Sequence, residues 1–146
     1  MLARGPAVVL DARATGRAVP AFTVYTLESL RAVCEAAERT SLPVILQAGS
    51  SSYRETSRSM LAAAALAAAR DASVSVGVHL DHSTDLEEIR DCISLGYTSV
   101  MVDGSHLKFA ENVALTRAVV AQAHDVGVWV KRSLARSPAT KMRRPG

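Results

Sequence analysis

The sequence has few cysteines, few aromatic residues and no long apolar segment. Its two cysteines, Cys34 and Cys92, lie far apart without metal-like spacing, which predicts buried thiols in a reducing compartment rather than a disulfide framework. The most apolar run, residues 60–69, is about half of the roughly 20 residues that cross a bilayer. Asp11 interrupts the N-terminal apolar stretch before it reaches the length of a signal peptide. We therefore expect a cytoplasmic protein with no membrane partner.

Excess positive charge is absent from most of the chain. The 146 residues carry a formal charge of +3, yet residues 1–130 contain eleven Lys and Arg against fourteen Asp and Glu. The last sixteen residues, 131–146, hold six Lys or Arg and no acid. Nucleic acid is therefore not an expected partner, and a non-catalytic binding protein with a basic tail is the disfavoured alternative. With 49% hydrophobic and 21% charged residues, the composition is that of one globular domain.

Short β-branched runs alternate regularly with amphipathic stretches. Nearly continuous apolar strands separated by helices are typical of a parallel sheet buried on both faces, and both open doubly wound sheets and barrels show this pattern. A (β/α)8 barrel needs about 200–250 residues, so a barrel in this chain would be incomplete. The predicted strands are residues 19–24, 43–47, 75–81, 99–103 and 126–130; the predicted helices are 27–39, 55–70, 85–95 and 110–124, with a short helical segment near residues 7–14.

Polar residues collect where three of these strands end. Because the carboxyl ends of parallel strands lie on one face of an α/β fold, we expect these side chains to converge there. This placement favours a barrel and a site at its mouth. The residues concerned are Gln47 after the second strand, His79, Asp81 and His82 after the third, and Asp103, Ser105 and His106 after the fourth.

The run His79-Leu80-Asp81-His82 is the most distinctive local feature. On a strand, His79 and Asp81 point the same way, so an imidazole and a carboxylate face one cavity. Imidazole is a common zinc ligand, and a carboxylate can move protons. The alternative is that these are turn and capping residues around Asp85, and that Asp103 and Gly104 simply form a turn.

Longer strings carry a resemblance to a known family. They are AFTVYTLESLRAVCEAAE, PVILQAG, HLDHSTDLEEIRDCISLGYTSVMVDGSHLKFAENVALTRAVV and AHDVGVWV, within a match that runs over about residues 8–130. This region resembles the N-terminal half of the class II, zinc-dependent ketose-bisphosphate aldolases. Two positions depart from the family pattern: Thr23 stands where Asn is usual, and Gly49 where Ser is usual, with Ser50 one place later.

The resemblance implies an α/β fold, the TIM (β/α)8 barrel, of which residues 1–130 supply five strands and four helices. It implies an aldehyde-lyase that reversibly cleaves fructose or tagatose 1,6-bisphosphate to dihydroxyacetone phosphate and glyceraldehyde 3-phosphate. The two sugars are not distinguished. Another metal-dependent phosphosugar lyase of the same fold is the alternative. Full-length members of the family are homo-oligomers.

The resemblance also implies roles for particular residues. Asp81 is the expected catalytic acid and base, His82 the first Zn²⁺ ligand, and Asp103 a carboxylate near an alternative metal position. The other two zinc histidines belong to the later half of the family barrel and are absent from this chain. The expected substrate-binding residues are Gln47, Ser50 and His79.

The family pattern ends abruptly after Val130. The family continues close to VEAELG, whereas this chain reads KRSLARSPATKMRRPG. One nucleotide sequence encodes VEAELGPLAGDEDAASG, which contains the family motif. When a single G is removed after its first codon, the same sequence encodes VKRSLARSPATKMRRPG, which is identical to residues 130–146. We therefore expect residues 131–146 to be a frameshifted, disordered basic tail outside the family domain, and the chain to be inactive.

Overall fold

The computed structural model describes residues 1–54 and 56–133, which form an α/β structure. Each strand except the last is followed by a helix on the same side of the sheet. The strands are β1 (Ala21–Thr23), β2 (Val44–Ala48), β3 (Val76–Ser83), β4 (Ser99–Val102) and β5 (Trp129–Arg132); the helices are α1 (Ala7–Ala14), α2 (Leu27–Thr40), α3 (Arg58–Asp71), α4 (Leu86–Leu95) and α5 (Phe109–His124), with a 3₁₀ turn at Ser50–Tyr53.

The five strands are parallel and lie side by side in chain order, β1-β2-β3-β4-β5. An open doubly wound sheet reverses its strand order at a switch point, whereas a (β/α)8 barrel adds each strand beside the previous one. The observed order is that of the barrel. The prediction of an incomplete TIM barrel is therefore confirmed.

The core lies between one face of the sheet and the helices. Apolar side chains at alternate strand positions turn toward α2, α3 and α4, because successive side chains of a strand point to opposite faces. Ala-rich α3 lets its backbone approach the sheet closely. The strand residues of this layer include Val44, Leu46, Val76, Val78, Leu80, Val100 and Val102, each at most 1% exposed; they pack on Leu61, Ala65, Ala69, Ile89 and Cys92.

Local signals place the two ends of α4 as predicted. The Asp85 side chain accepts a hydrogen bond from the backbone N–H of Glu87, and Gly96 ends α4 in the left-handed conformation with φ of 100°. Cys34 and Cys92 are free and buried, as expected. No helix within the described residues is long and apolar enough to cross a membrane.

Several predicted boundaries are wrong by a few residues. The helix expected from Glu55 begins at Arg58, because the Ser57 side chain caps it by accepting from the backbone of Met60. The fifth strand runs over Trp129–Arg132 rather than residues 126–130, since Gly127, with φ of 72°, and its neighbours close the end of α5.

The first residues of the predicted tail belong to the sheet. Lys131 pairs with Met101 and Arg132 with Val102 in the parallel ladder between β4 and β5. Strand β5 therefore continues past Val130, behind which the tail was expected to begin. The rest of the predicted disordered tail, from residue 134 onward, lies outside the described residues.

Candidate active site

The carboxyl ends of β2 and β3 bring three of the predicted residues together. Gln47 pairs with His79 in the parallel register, so both side chains and that of Asp81 lie on the sheet face opposite the helices. Nε2 of Gln47 donates to Oδ2 of Asp81 over 3.3 Å and to Oγ1 of Thr23 over 3.1 Å. Nε2 of His79 lies 4.0 Å from Oδ1 of Asp81. The carboxylate is thus flanked by an amide and an imidazole.

His79 is buried and neutral. Burial lowers the pKa of His79 to about 4, although Asp81 acts in the opposite direction. Its Nδ1 shares a hydrogen bond of 2.8 Å with Oγ of Ser99, the residue opposite it on β4. The ring is therefore held in place without carrying charge at neutral pH, and it cannot form a true ion pair with Asp81.

His82 reaches the same mouth because β3 is irregular at its end. Its φ of 48° is left-handed, and the pairing of β3 with β4 shifts register between Leu80 and Ser83. Strict alternation would turn His82 toward the helices with Leu80. A bulge re-aims the side chain that follows it. The imidazole is 45% exposed at the mouth, while Ser83 takes the position facing the helices.

Asp103 binds His82 and also closes a turn. Nδ1 of His82 donates to Oδ2 of Asp103 over 2.9 Å, and the backbone N–H of Ser105 donates to Oδ1 over 3.0 Å. Burial raises the pKa of Asp103, but these hydrogen bonds outweigh it and the net pKa lies below the usual value. Asp103 thus forms a turn, through Ser105, and also contacts a residue of the candidate site, His82.

The loop after β2 packs directly on the Asp81 segment. A Cβ added to Gly49 would lie 2.8 Å from the carbonyl oxygen of Asp81, so glycine permits a contact that the usual serine would block. The Ser50 hydroxyl donates to Oε2 of Glu88 over 2.8 Å, away from the Gln47–Asp81 contact. His106 is exposed beyond the turn.

The sequence analysis gave no site role to four residues that lie near this site. Ser99 and Lys131 lie on the same sheet face as His79, as their pairing positions on β4 and β5 indicate. Glu88 occupies the buried face of α4 with Ile89 and Cys92. The helical spacing of Glu88 and Cys92 was the available signal, because residues four apart share a face. Thr23 was identified only as a departure from the family pattern.

The described residues do not by themselves fit a catalytic zinc ion. A catalytic zinc site takes three protein ligands and keeps an open position. Between residues 1–54 and 56–133, no three His, Cys, Asp or Glu side chains cluster so as to hold a metal. His82 nevertheless has the arrangement of a ligand: its Nδ1–H is bound to a carboxylate, which orients the ring and directs the Nε2 lone pair outward.

Residues 5–136 match the family of class-II fructose-bisphosphate aldolases. The fructose-bisphosphate aldolase of Thermus caldophilus is 40% identical over 136 residues, covering 93% of this chain and 44% of that protein. The D-tagatose-1,6-bisphosphate aldolase subunit GatY of Klebsiella oxytoca is 37% identical over 129 residues, with 88% of this chain and 45% of that protein covered.

The fold comparison agrees with the sequence comparison. The crystal structure of the YdjI aldolase from Escherichia coli K12 superposes with a TM-score of 0.88 and 32% identity, over 95% of this chain and 55% of that one. This chain thus spans about half the length of the relatives that it matches. The match covers the strands and loops that carry the candidate site.

Proposed function

Because the chain belongs to the class II fructose-bisphosphate aldolase family, we propose that it carries the proton-transferring carboxylate and one metal ligand of such an enzyme. The proposed reaction is reversible aldol cleavage of a ketose 1,6-bisphosphate to dihydroxyacetone phosphate and glyceraldehyde 3-phosphate. The observation that carries the proposal is the position of Asp81 between Gln47 and His79. The next residue, His82, is oriented by its hydrogen bond to the carboxylate of Asp103.

Asp81 is proposed as the general acid and base. In cleavage its carboxylate accepts the proton of the hydroxyl group on the carbon that becomes the aldehyde. The adjacent carbon–carbon bond breaks, and its electron pair passes to the ketose-derived fragment as an enediolate, which takes up a proton to give dihydroxyacetone phosphate. In condensation the carboxylic acid returns that proton to the aldehyde oxygen. Its side chain is 26% exposed, so substrate can reach it, and neutral His79 does not neutralise it. Gln47 limits its rotation by donating to one carboxylate oxygen.

Gln47 and His79 are proposed to contact the sugar phosphate beside Asp81. Ser50 is proposed to contribute through the loop that it begins, because its hydroxyl is engaged by Glu88. Substrates named for the relatives include both the fructose and the tagatose bisphosphate, and both belong in the assay. We also propose a cytoplasmic location, which suits an enzyme of free sugar phosphates with two free thiols.

Zinc is proposed as the metal, with His82 as a ligand and Asp103 as the carboxylate that orients it. The metal would polarise the ketose carbonyl. Two further ligands are needed beyond those that the described residues provide, so we assign no step to the metal. For the same reason the 146-residue chain alone is proposed to be inactive.

The test compares this chain with a protein whose reading frame is restored behind Val130. In the restored enzyme, Asp81→Ala should retain zinc and lower kcat by roughly 10²–10⁴-fold, the usual range for loss of a general acid or base. His82→Ala should lose zinc and turnover together. The readouts are zinc content and coupled cleavage assays with both bisphosphates. Full turnover in Asp81→Ala would refute the assignment of Asp81. Chelator-sensitive cleavage by the unaltered chain would refute its proposed inactivity, and stoichiometric zinc in that chain would refute the need for two further ligands.

A further inference from the structure

Glu88 is a buried carboxylate that lies behind the candidate site. The proposed proton transfer does not use it. Glu88 sits in the first turn of α4 with its side chain only 5% exposed. Its Oε2 accepts hydrogen bonds from two serine hydroxyls, Ser83 over 2.6 Å and Ser50 over 2.8 Å. An ionised carboxylate only accepts hydrogen bonds, so both hydroxyl protons are directed at it.

The two serines belong to the two segments that form the mouth of the site. Ser83 ends β3 and directly follows His82, whose left-handed backbone turns the ring outward. Ser50 begins the 3₁₀ turn after β2, and Gly49 before it packs on the carbonyl of Asp81. Glu88 therefore joins the loop after β2 to the irregular end of β3.

Arg58 makes burial of this carboxylate tolerable. Its guanidinium lies 3.4 Å from Oε1 of Glu88, also pairs with Asp91, and stacks 5.4 Å from the ring centre of Tyr53. A buried carboxylate without a charged partner would be strongly unfavourable. Oε1 of Glu88, which the serines do not use, thus pairs with the guanidinium of Arg58. The negative charge of Glu88 strengthens the hydrogen bonds that it accepts from the two serines.

We propose that Glu88 is a positioning residue of the candidate site. It holds Ser83 against α4, which keeps His82 in its left-handed conformation and within reach of Asp103. Through the same oxygen it holds Ser50, which keeps the preceding Gly49 against the carbonyl of Asp81. The relevance of this role to catalysis rests on the proposed aldolase function, whereas the geometric coupling of the two segments does not.

The main test replaces Glu88 in the 146-residue chain and compares it with its exposed neighbour Glu87. Glu88→Met should speed amide hydrogen exchange about tenfold in residues 49–54 and 81–84, as expected from losing charge-assisted hydrogen bonds at the site. The centres of β2 and β4 should keep their protection. Glu87→Met changes the same residue type on the same turn and should leave both segments as they are. Unchanged exchange in Glu88→Met, or a uniform rise over the whole sheet, would overturn the proposal.

A spectroscopic readout separates positioning from a purely structural role. The ring signals of His82 in NMR spectra should move in Glu88→Met, while those of exposed His106 stay in place. Glu88→Gln keeps one oxygen acceptor for the serines and should restore the His82 signals at least in part. Signals of His82 that are identical in the unaltered chain and Glu88→Met would overturn the proposal.

Single hydroxyl deletions keep the idea testable if Glu88→Met does not fold. Both hydroxyls share one carboxylate oxygen of Glu88. Ser83→Ala should therefore speed amide exchange in residues 50–53 as well as in its own segment, and Ser50→Ala should likewise speed exchange in residues 81–84. Effects confined to the mutated segment would show that the carboxylate does not couple them. None of these measurements requires turnover or zinc, so a failure of the aldolase proposal would be seen separately in the cleavage and zinc assays.

Discussion

The neutral state of buried His79 makes the stability of the chain depend on pH. Burial lowers the pKa of His79 to about 4, against about 6.5 for an exposed imidazole. Between these two values the unfolded chain binds a proton that the folded chain excludes. The stabilisation that comes from keeping His79 neutral in the folded chain is thus fully present above about pH 6.5. It is lost from the free energy of unfolding as the pH falls toward 4. Since each tenfold change in proton affinity corresponds to about 1.4 kcal/mol, the loss amounts to about 3 kcal/mol.

The measurement compares the unaltered chain with His79→Gln in urea unfolding between pH 7 and pH 4. Trp129, the single tryptophan of the chain, lies in β5 opposite Ser99 and reports on the sheet. Carboxylates titrate in both proteins, so the difference between their unfolding free energies isolates His79. That difference should shift by about 3 kcal/mol in favour of His79→Gln on acidification.

The control is His106→Gln, which removes an exposed imidazole. Its stability should follow that of the unaltered chain at every pH. If the free energies of unfolding of the unaltered chain and His79→Gln fell in parallel as the pH is lowered, the reasoning would be refuted. An NMR titration in which His79 protonates near pH 6.5 in the folded chain would refute it as well.

Two further predictions concern close contacts around the site. Gly49→Ala should destabilise the chain by about 1–3 kcal/mol, because its Cβ would lie 2.8 Å from the Asp81 carbonyl oxygen. The same change at Gly77 meets nothing closer than a side-chain carbon of Ile45 at 3.4 Å, so equal urea midpoints for the two variants would contradict this. Asn112→Ala should cost about 1–3 kcal/mol, since its buried amide donates to the carbonyl of Ser133 over 2.9 Å; an unchanged urea midpoint would show that this contact contributes little.

Much of the architecture could be predicted because its signals are local. Strands such as Val44–Ala48 are mainly apolar, and helices such as α4 begin at a capping Asp85 and end at Gly96. These features depend only on neighbouring residues. The boundaries that were wrong, at Arg58 and Trp129, depend instead on which nearby polar groups are used to close a helix end.

The grouping of site residues could also be predicted, because parallel strands place their carboxyl ends at one edge. Gln47, His79 and Asp81 meet there as expected. The partners of His79 and Ser50 could not be read in the same way. Ser99 and Glu88 lie far from His79 and Ser50 in the sequence. The helical spacing of Glu88 indicates only that it faces the core, and nothing near either residue identifies its hydrogen-bond partner.

The sequence by itself determined the alternation of strands and helices, the parallel sheet and the edge at which the polar residues gather. The period of apolar residues and the chemistry of helix ends are written in each short stretch of chain. Only the tertiary structure decided the direction of His82, the neutrality of His79 and the hydrogen-bond partners of Glu88. A slipped register turns His82 toward Asp103, and the packing of α4 brings Glu88 within hydrogen-bond distance of Ser50 and Ser83. These properties depend on surroundings supplied by distant parts of the chain, so no local pattern specifies them.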